Sequence, residues 1–267
     1  MADAANTPLV IEKNLVNSFV SLLEEYAGKP IHCEAHDSGV YTIYESSWPF
    51  KLWVYPKDVQ KRLDSGNSSA IHIDTYQLIN DQLKIVKRLL IYAGLAQKIF
   101  ARKTTLSKVN KIEALAFLKR YHIQEPFLGK HRWGLYYNDE LVSLAVFSNK
   151  RTMREKGDNY QSAELIRFCN KSPYVIVGGL SKLLKYHMKS KNLQDIMTYV
   201  DKDWGSSKKL EKIGFELVDQ LAPISFWIHE SERFLVRDPA TLLELKERYP
   251  SGYLKENSGS LKMLLKL

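Results

Sequence analysis

Residues 174–218 constrain the fold more than any other stretch of the chain. They open on an apolar run of strand length, Tyr174-Val175-Ile176-Val177, followed by Gly178-Gly179-Leu180-Ser181-Lys182 and an amphipathic helix. A second apolar run covers residues 196–200, and Asp201-Lys202-Asp203-Trp204-Gly205 follows it. The stretch closes on a short helix and Gly214-Phe215, with another strand behind them. Strand, glycine turn, helix and strand in that order place the chain in the α/β class. The glycine pair frees backbone N–H groups at the positive end of the helix, a setting that suits a phosphate-bearing ligand.

The 267 residues are 45% hydrophobic and 26% charged, enough for one large domain or two ordinary ones. No apolar run approaches the roughly 18–20 residues that cross a bilayer, so no membrane role is expected. The first six residues lack the basic and apolar regions of a signal peptide. Cys33 and Cys169 are only two and far apart, with neither disulfide nor zinc spacing. Together these features predict a cytoplasmic protein without a metal. Charge is divided unevenly. Residues 1–97 hold 9 Lys/Arg against 11 Asp/Glu, a net of −2, and residues 98–267 hold 30 against 19, a net of +11. Such a balance fits a nucleic-acid surface, an anionic-cofactor surface or a plain solvated basic face.

Along the chain, Ile11, Leu15, Phe19, Leu22, Leu23 and Tyr26 recur at helical spacing. Residues 39–55 read as two strands turning at Trp48-Pro49, and residues 64–69 as a loop. A short strand at 70–73 precedes a long helix that Asp74-Thr75 would cap, with Ile79, Leu83, Val86, Leu89 and Leu90 on its apolar side. A new pattern starts near Lys98: a strand at 99–103, a helix over 107–121 with Ile112, Leu115, Ala116 and Leu118 inward, then hairpin strands joined at Asn138-Asp139. Residues 151–161 read as a polar loop and 163–169 as the strand feeding the glycine pair. Residues 224–229 predict a terminal strand, 239–248 a helix, and 249–267 a loosely attached tail with one short apolar helix. The expected division is therefore a small N-terminal α/β module (1–97), a central domain (98–230) and a C-terminal helix and tail (231–267).

The order of elements from residue 98 to 229 resembles the GNAT acetyltransferase fold, a mixed sheet flanked by helices. The pieces that carry the resemblance are Ile99-Phe100-Ala101-Arg102-Lys103, Tyr121-His122-Ile123-Gln124 and Gly134-Leu135-Tyr136-Tyr137-Asn138-Asp139-Glu140-Leu141-Val142-Ser143. Further along come Glu164-Leu165-Ile166-Arg167-Phe168-Cys169-Asn170, Val177-Gly178-Gly179-Leu180-Ser181-Lys182-Leu183, and Tyr199-Val200-Asp201 with Trp204. They look most like a phage and bacterial variety found behind repair- or homing-type endonuclease domains, and they cover about half the chain.

The resemblance implies a site for acetyl-CoA or another acyl-CoA, its pyrophosphate against Val177, Gly178, Gly179, Leu180, Ser181 and Lys182. Glycines let backbone approach a ligand, and a lysine in a first helical turn opposes the helix dipole unless an anion is present. Two positions depart from the family: Ile176 stands where Arg or Gln is usual, and Leu210 where many members keep a tyrosine as general acid. Transfer to an amine needs a base, for which Glu164 is the first candidate and Asp201, at a strand end, the second. Glu164 could instead pair with Arg167, and Asp201 could cap a helix. His122, Gln124, Arg167 and Trp204 are candidates for contact with the substrate.

For the N-terminal module the resemblance points to a nuclease domain, but no Asp…Glu-x-Lys constellation is present; Glu45 and Lys51 are too far apart. Three functions stay open. The first is an acyl-CoA-dependent N-acyltransferase acting on an amine, on nucleic acid or on protein. The second is a DNA- or RNA-associated binding protein on an inert GNAT-like scaffold, favoured by the basic run Arg102-Lys103, Lys111, Lys119 and Arg120. The third is a GNAT-like enzyme that modifies a nucleic-acid base, as the Mom-type proteins of phages do.

Overall fold

The computed structural model describes residues 7–64, 69–205 and 207–266, and in it the chain forms two compact units. One unit runs up to Ala93 and adds Asp201–Gly205 and Leu221–Ser260. The other holds Gly94–Val200 and the stretches 206–220 and 261–267. Both are mixed α/β. The expected loop at 64–69 lies largely outside the described residues.

The first unit opens with α1 (Thr7–Ala27), which buries Val16, Phe19 and Leu23 at i, i+3 and i+7, a single helical stripe. Ile11, expected on that stripe, is 61% exposed. Strands β1 (His32–Ala35), β2 (Tyr41–Tyr44), β3 (Lys51–Tyr55) and β4 (Ala70–Asp74) make a sheet in that order, with β2 and β3 the expected antiparallel pair. β3 and β4 run parallel. α2 (Gln77–Tyr92) buries Leu78, Ile85, Val86 and Leu89, whereas the predicted Ile79 and Leu83 face outward. Asp74 and Thr75 do not cap it. Asp74 takes two hydrogen bonds from Arg62 (2.8 and 2.7 Å), and the Thr75 hydroxyl donates to Glu12 (2.6 Å). Buried charge found a partner, and the cap was forgone.

The second unit begins with β5 (Gln97–Phe100), where the strand expected to reach residue 103 stops; a 3-10 turn occupies Ala101–Lys103. β6 (Thr105–Lys108) follows, its last two residues, Ser107 and Lys108, falling where the sequence predicts the start of a helix. The helix α3 (Lys111–Tyr121) starts later because the Asn110 side chain accepts from the Glu113 N–H at 2.9 Å. Ile112, expected inward, is 84% exposed. β7 (His131–Tyr137) and β8 (Glu140–Phe147) are joined at Asn138 and Asp139, both at positive φ (48° and 60°), as a two-residue hairpin turn requires. β9 (Arg151–Thr152) pairs with β10 (Gln161–Asn170). Then come β11 (Tyr174–Val177), paired in parallel with β5, α4 (Gly179–Lys191), β12 (Asp195–Asp201), α5 (Lys208–Glu211) and β13 (Glu216–Leu221).

β14 (Ser225–His229) does not end this sheet, as the sequence predicts. It pairs with β15 (Glu232–Leu235) and β16 (Tyr253–Glu256) in a three-stranded sheet of the first unit, with α6 (Pro239–Arg248) between them in sequence. The predicted apolar tail helix is absent as well. Its place is taken by β17 (Ser260–Lys266), which lies inside the main sheet of the second unit, in the order β13-β17-β12-β10-β8-β7-β6. Leu261, Met263 and Leu265 alternate with Lys262, Leu264 and Lys266 and join the core, Met263 with no exposed surface.

Residues of β8 divide between two cores, the alternation being reset at a bulge in its pairing with β7. Val142, Ala145 and Phe147 pack with Leu183, Leu184 and Met188 of α4, and Leu141, Leu144 and Val146 with Ala114, Phe117 and Leu118 of α3. The two helices therefore cover opposite faces of one sheet.

Candidate functional site

Parallel strands β10 and β12 stay together for three residue pairs only: Ser162↔Asp195, Ala163↔Ile196 and Glu164↔Met197. The next contact is a side chain, the Thr198 hydroxyl donating to the Leu165 carbonyl at 2.8 Å. At that level β10 carries a bulge against β8 between Leu165 and Arg167, and a bulge bends its strand and sharpens the twist. The pairing of β10 with β12 ends there, while its pairing with β8 runs on to Asn170. The result is a fork between the carboxyl-terminal halves of two parallel strands, a position where open α/β sheets admit ligands.

The glycine turn stands at the start of α4. Gly178, at φ 76°, is the N-cap and brings no capping side chain. The Lys182 N–H bonds the Gly178 carbonyl at 3.0 Å, and the N–H groups of Gly179, Leu180 and Ser181 lie ahead of it in the turn that an α-helix leaves without internal acceptors. Val177 and Gly178 are exposed, Leu180 and Ser181 half-buried. The two glycines do different work. A Cβ on Gly178 would meet only Ala101 at 3.7 Å, but one on Gly179 would lie 2.9 Å from the Ile176 side chain and 3.2 Å from Leu135. Gly179 thus serves packing against its own strand.

Lys182 points away from the turn. Its ammonium donates to the carbonyls of Ala101 (2.8 Å) and Thr104 (2.5 Å) and approaches the Thr104 hydroxyl at 3.4 Å. Its three donors meet three oxygens, which offsets the helix dipole without any ligand. Ile176 is buried in the α4-side core, and Leu210 packs against the same core.

Glu164 occupies the last paired position of β10 before the fork. Its N–H donates to the Ser148 hydroxyl oxygen at 2.9 Å, and its carbonyl accepts the Ser148 N–H. No ion pair joins Glu164 to Arg167 among the described residues. Arg167 pairs with Val146, on the α3 face, and its guanidinium donates to the carbonyls of Glu125 (3.2 Å) and Ile166 (2.8 Å). His122 and Gln124 belong to the same short segment behind α3, where the Gln124 N–H donates to His122 Nδ1 at 3.1 Å. The fold therefore brings Arg167 to the segment of His122 and Gln124. Asp201 and Trp204 fall in the first unit. There the Asp201 carboxylate accepts the Asp203 N–H (3.0 Å), its carbonyl accepts the Trp204 N–H (3.1 Å), and Trp204 is buried.

Two polar groups of the second unit have no counterpart among the predicted site residues. His187 of α4 is wholly buried, stacked on Phe147 at 3.9 Å, and accepts at Nδ1 from the Trp133 indole N–H at 3.0 Å. Burial, and then the nearby charges of His131 and Lys191, push its pKa down to about 3. Tyr136 donates to Glu113 at 2.9 Å; burial and that bond push it up to about 12. A histidine four residues after Leu183 on an apolar helix face was the signal for the first. Among the described residues no group of three or more His, Cys, Asp or Glu is placed to hold a metal ion, and no helix is long and apolar enough to cross a membrane.

No protein-family model matches the chain, and no curated protein matches it. Among solved structures it is similar to a GNAT family acetyltransferase from Elizabethkingia anophelis with acetyl-CoA bound, at 14% identity over 62% of this chain and 99% of that one, with a TM-score of 0.36. It is similar also to Arabidopsis thaliana Naa50 in complex with the bisubstrate analogue CoA-Ac-MVNAL (14% identity, 62% and 99%, TM-score 0.38). A third is the ribosomal-protein-S18-alanine N-acetyltransferase from Escherichia coli (13% identity, 61% and 93%, TM-score 0.40).

Proposed function

We propose that the second unit binds an acyl-coenzyme A, acetyl-CoA first among them, and transfers its acyl group to an amine. The observation that carries this reading is the fork between β10 and β12, in the sheet whose face is covered by a helix with an uncapped first turn. The residues fit the coenzyme in one respect and depart in another. The N–H groups of Gly179, Leu180 and Ser181 suit a pyrophosphate, and exposed Gly178 leaves room for it. Lys182, spent on carbonyls, holds the Ala101–Thr104 turn and contributes charge only at a distance.

The bound coenzyme supplies the acyl group in activated form. The chain's own part is to position the acceptor and take its proton. Glu164, at the mouth of the fork and without a side-chain partner among the described residues, is assigned as that base. Arg167, His122 and Gln124 are assigned to the acceptor, on the α3 face of the same strand. Asp201 is a turn residue in this reading, and Trp204 a packed one.

Calorimetric titration with acetyl-CoA, against desulfo-CoA and ATP, tests the cofactor. Micromolar binding of both CoA ligands, with none of ATP, is expected; no heat at high protein concentration overturns the reading. Glu164→Gln is expected to lower turnover about a hundredfold, within the range of general-base contributions, with cofactor affinity unchanged. Full activity in that variant removes Glu164 from the role.

A further inference from the structure

The second unit carries 24 Lys/Arg against 11 Asp/Glu, a net of +13, while the first carries 15 against 19, a net of −4. Within the second unit the charge is sorted. Residues 97–108 and 179–191 contain eight Lys/Arg and not one Asp or Glu. These two stretches are neighbours: Lys182 bonds the carbonyls of Ala101 and Thr104, and Leu106 of β6 packs against the core that α4 covers.

Lys108 of β6 lies directly opposite Trp133 of β7, and Trp133 meets Tyr186 of α4 edge-on at 4.8 Å. Lys182, Tyr186 and Lys189 follow one another at i, i+4 and i+7, a single stripe of the helix. The cations Lys108, Lys185 and Lys189 are exposed, and none of them, nor Arg102, Lys103 or Lys191, is in an ion pair among the described residues. His131, two residues before Trp133, is pushed below its usual pKa, first by burial and then by Lys191, Lys130, Arg132 and Lys108. Like charges gathered this way repel one another unless a polyanion lies among them.

We propose that the surface between α4 and the β6 edge of the sheet binds single-stranded nucleic acid. Aromatic rings decide between this partner and an acidic polypeptide. Tyr186 is 41% exposed in the middle of the stripe, and Phe100 is 45% exposed at its start with the Arg102 guanidinium over its ring at 5.0 Å. Exposed rings between cations match a strand whose phosphates follow the charge and whose bases stack. The 13 residues of α4 give the surface a length of about 20 Å, room for a few nucleotides. Phe100, paired with Val177, and Lys182 stand at the glycine-turn end, whereas Tyr186, Lys189 and Lys191 lie toward the other end of α4, so that far part of the surface is separable from the proposed coenzyme site.

The test is fluorescence anisotropy of the full chain with labelled 12-nucleotide DNA and RNA between about 50 and 200 mM NaCl, the range over which phosphate contacts are screened. Binding is expected to weaken steeply with salt. The triple variant Lys108→Glu, Lys189→Glu and Lys191→Glu is expected to bind at least tenfold more weakly, its log–log salt slope flatter by about two. Tyr186→Ala is expected to bind roughly tenfold more weakly with the slope unchanged. Saturating CoA is expected to leave the oligonucleotide bound. No binding at low salt, or equal binding by the triple variant, overturns the proposal. So does displacement by CoA, which would hand the surface to the coenzyme, or equal competition by polyglutamate, which would hand it to an acidic protein.

Discussion

Gly179 lacks a side chain because the space a Cβ would fill already belongs to Ile176 and Leu135. An alanine there crowds buried side chains, so Gly179→Ala is expected to cost about 1–3 kcal/mol, as overpacking does. A lower urea midpoint at unchanged m-value would show it. A Gly179→Asp variant meets the same crowding and endangers the fold before it tests binding. Ser181 separates the two effects. It is the third residue of α4 and half-buried, so Ser181→Glu places an acid where the helix dipole favours it and is expected to add about 0.3–1 kcal/mol. The same carboxylate repels a pyrophosphate, and acetyl-CoA affinity should fall by more than tenfold. A variant more stable and weaker in binding marks the turn as a ligand site; one that binds normally places the ligand elsewhere.

At the scale of elements, β17 is the piece on which the second unit's sheet depends. It stands between β13 and β12, and Met263 has no exposed surface. Met263→Ala is expected to cost about 2–5 kcal/mol, as large-to-small core changes do, whereas exposed Lys266→Ala should stay within about 0.5 kcal/mol. Thermal or chemical denaturation of both variants checks the contrast. The same strand shows where sequence reading stops. The β7–β8 hairpin was legible because Asn138 and Asp139 announce their own turn. β17 was not, because Lys262 and Lys266, four apart on a short apolar segment, fit a strand and an amphipathic helix equally, and its sheet neighbours are distant in sequence. β6 was hidden likewise, being four polar-rich residues whose strand character comes from pairing with β7. The glycine turn and Glu164 could be named from sequence, but the fork could not. A bulge at Ile166 depends on the partner strand, and no local pattern encodes it.

At the scale of the whole molecule, each unit buries one neutral histidine, and this sets how the protein meets acid. In the first unit His72 Nδ1 and the Tyr55 hydroxyl share a hydrogen bond of 2.8 Å, and that hydroxyl also accepts the Leu63 N–H. Burial pushes His72 down to about 4, opposed by Asp203 and Asp74. In the second unit His187 is pushed down to about 3. Above pH 6.5 both rings are neutral folded or unfolded, and neither adds a pH dependence. Below it the unfolded chain takes up protons that the folded chain refuses, so stability falls as pH drops, until each folded value is reached. For His72 that window is pH 6.5 to about 4, a loss on the order of 3 kcal/mol. Asp74, held below the usual carboxylate range by Arg62 and Lys255 against its burial, extends the decline of the first unit to lower pH. His72→Gln and His187→Gln each keep a hydrogen-bond acceptor and remove the titration. Urea melts at pH 7.5 and 4.5 are expected to show the decline in the parent protein, partly removed in either variant and mostly removed when both are combined. A decline that survives the double substitution would assign acid lability to the carboxylates instead.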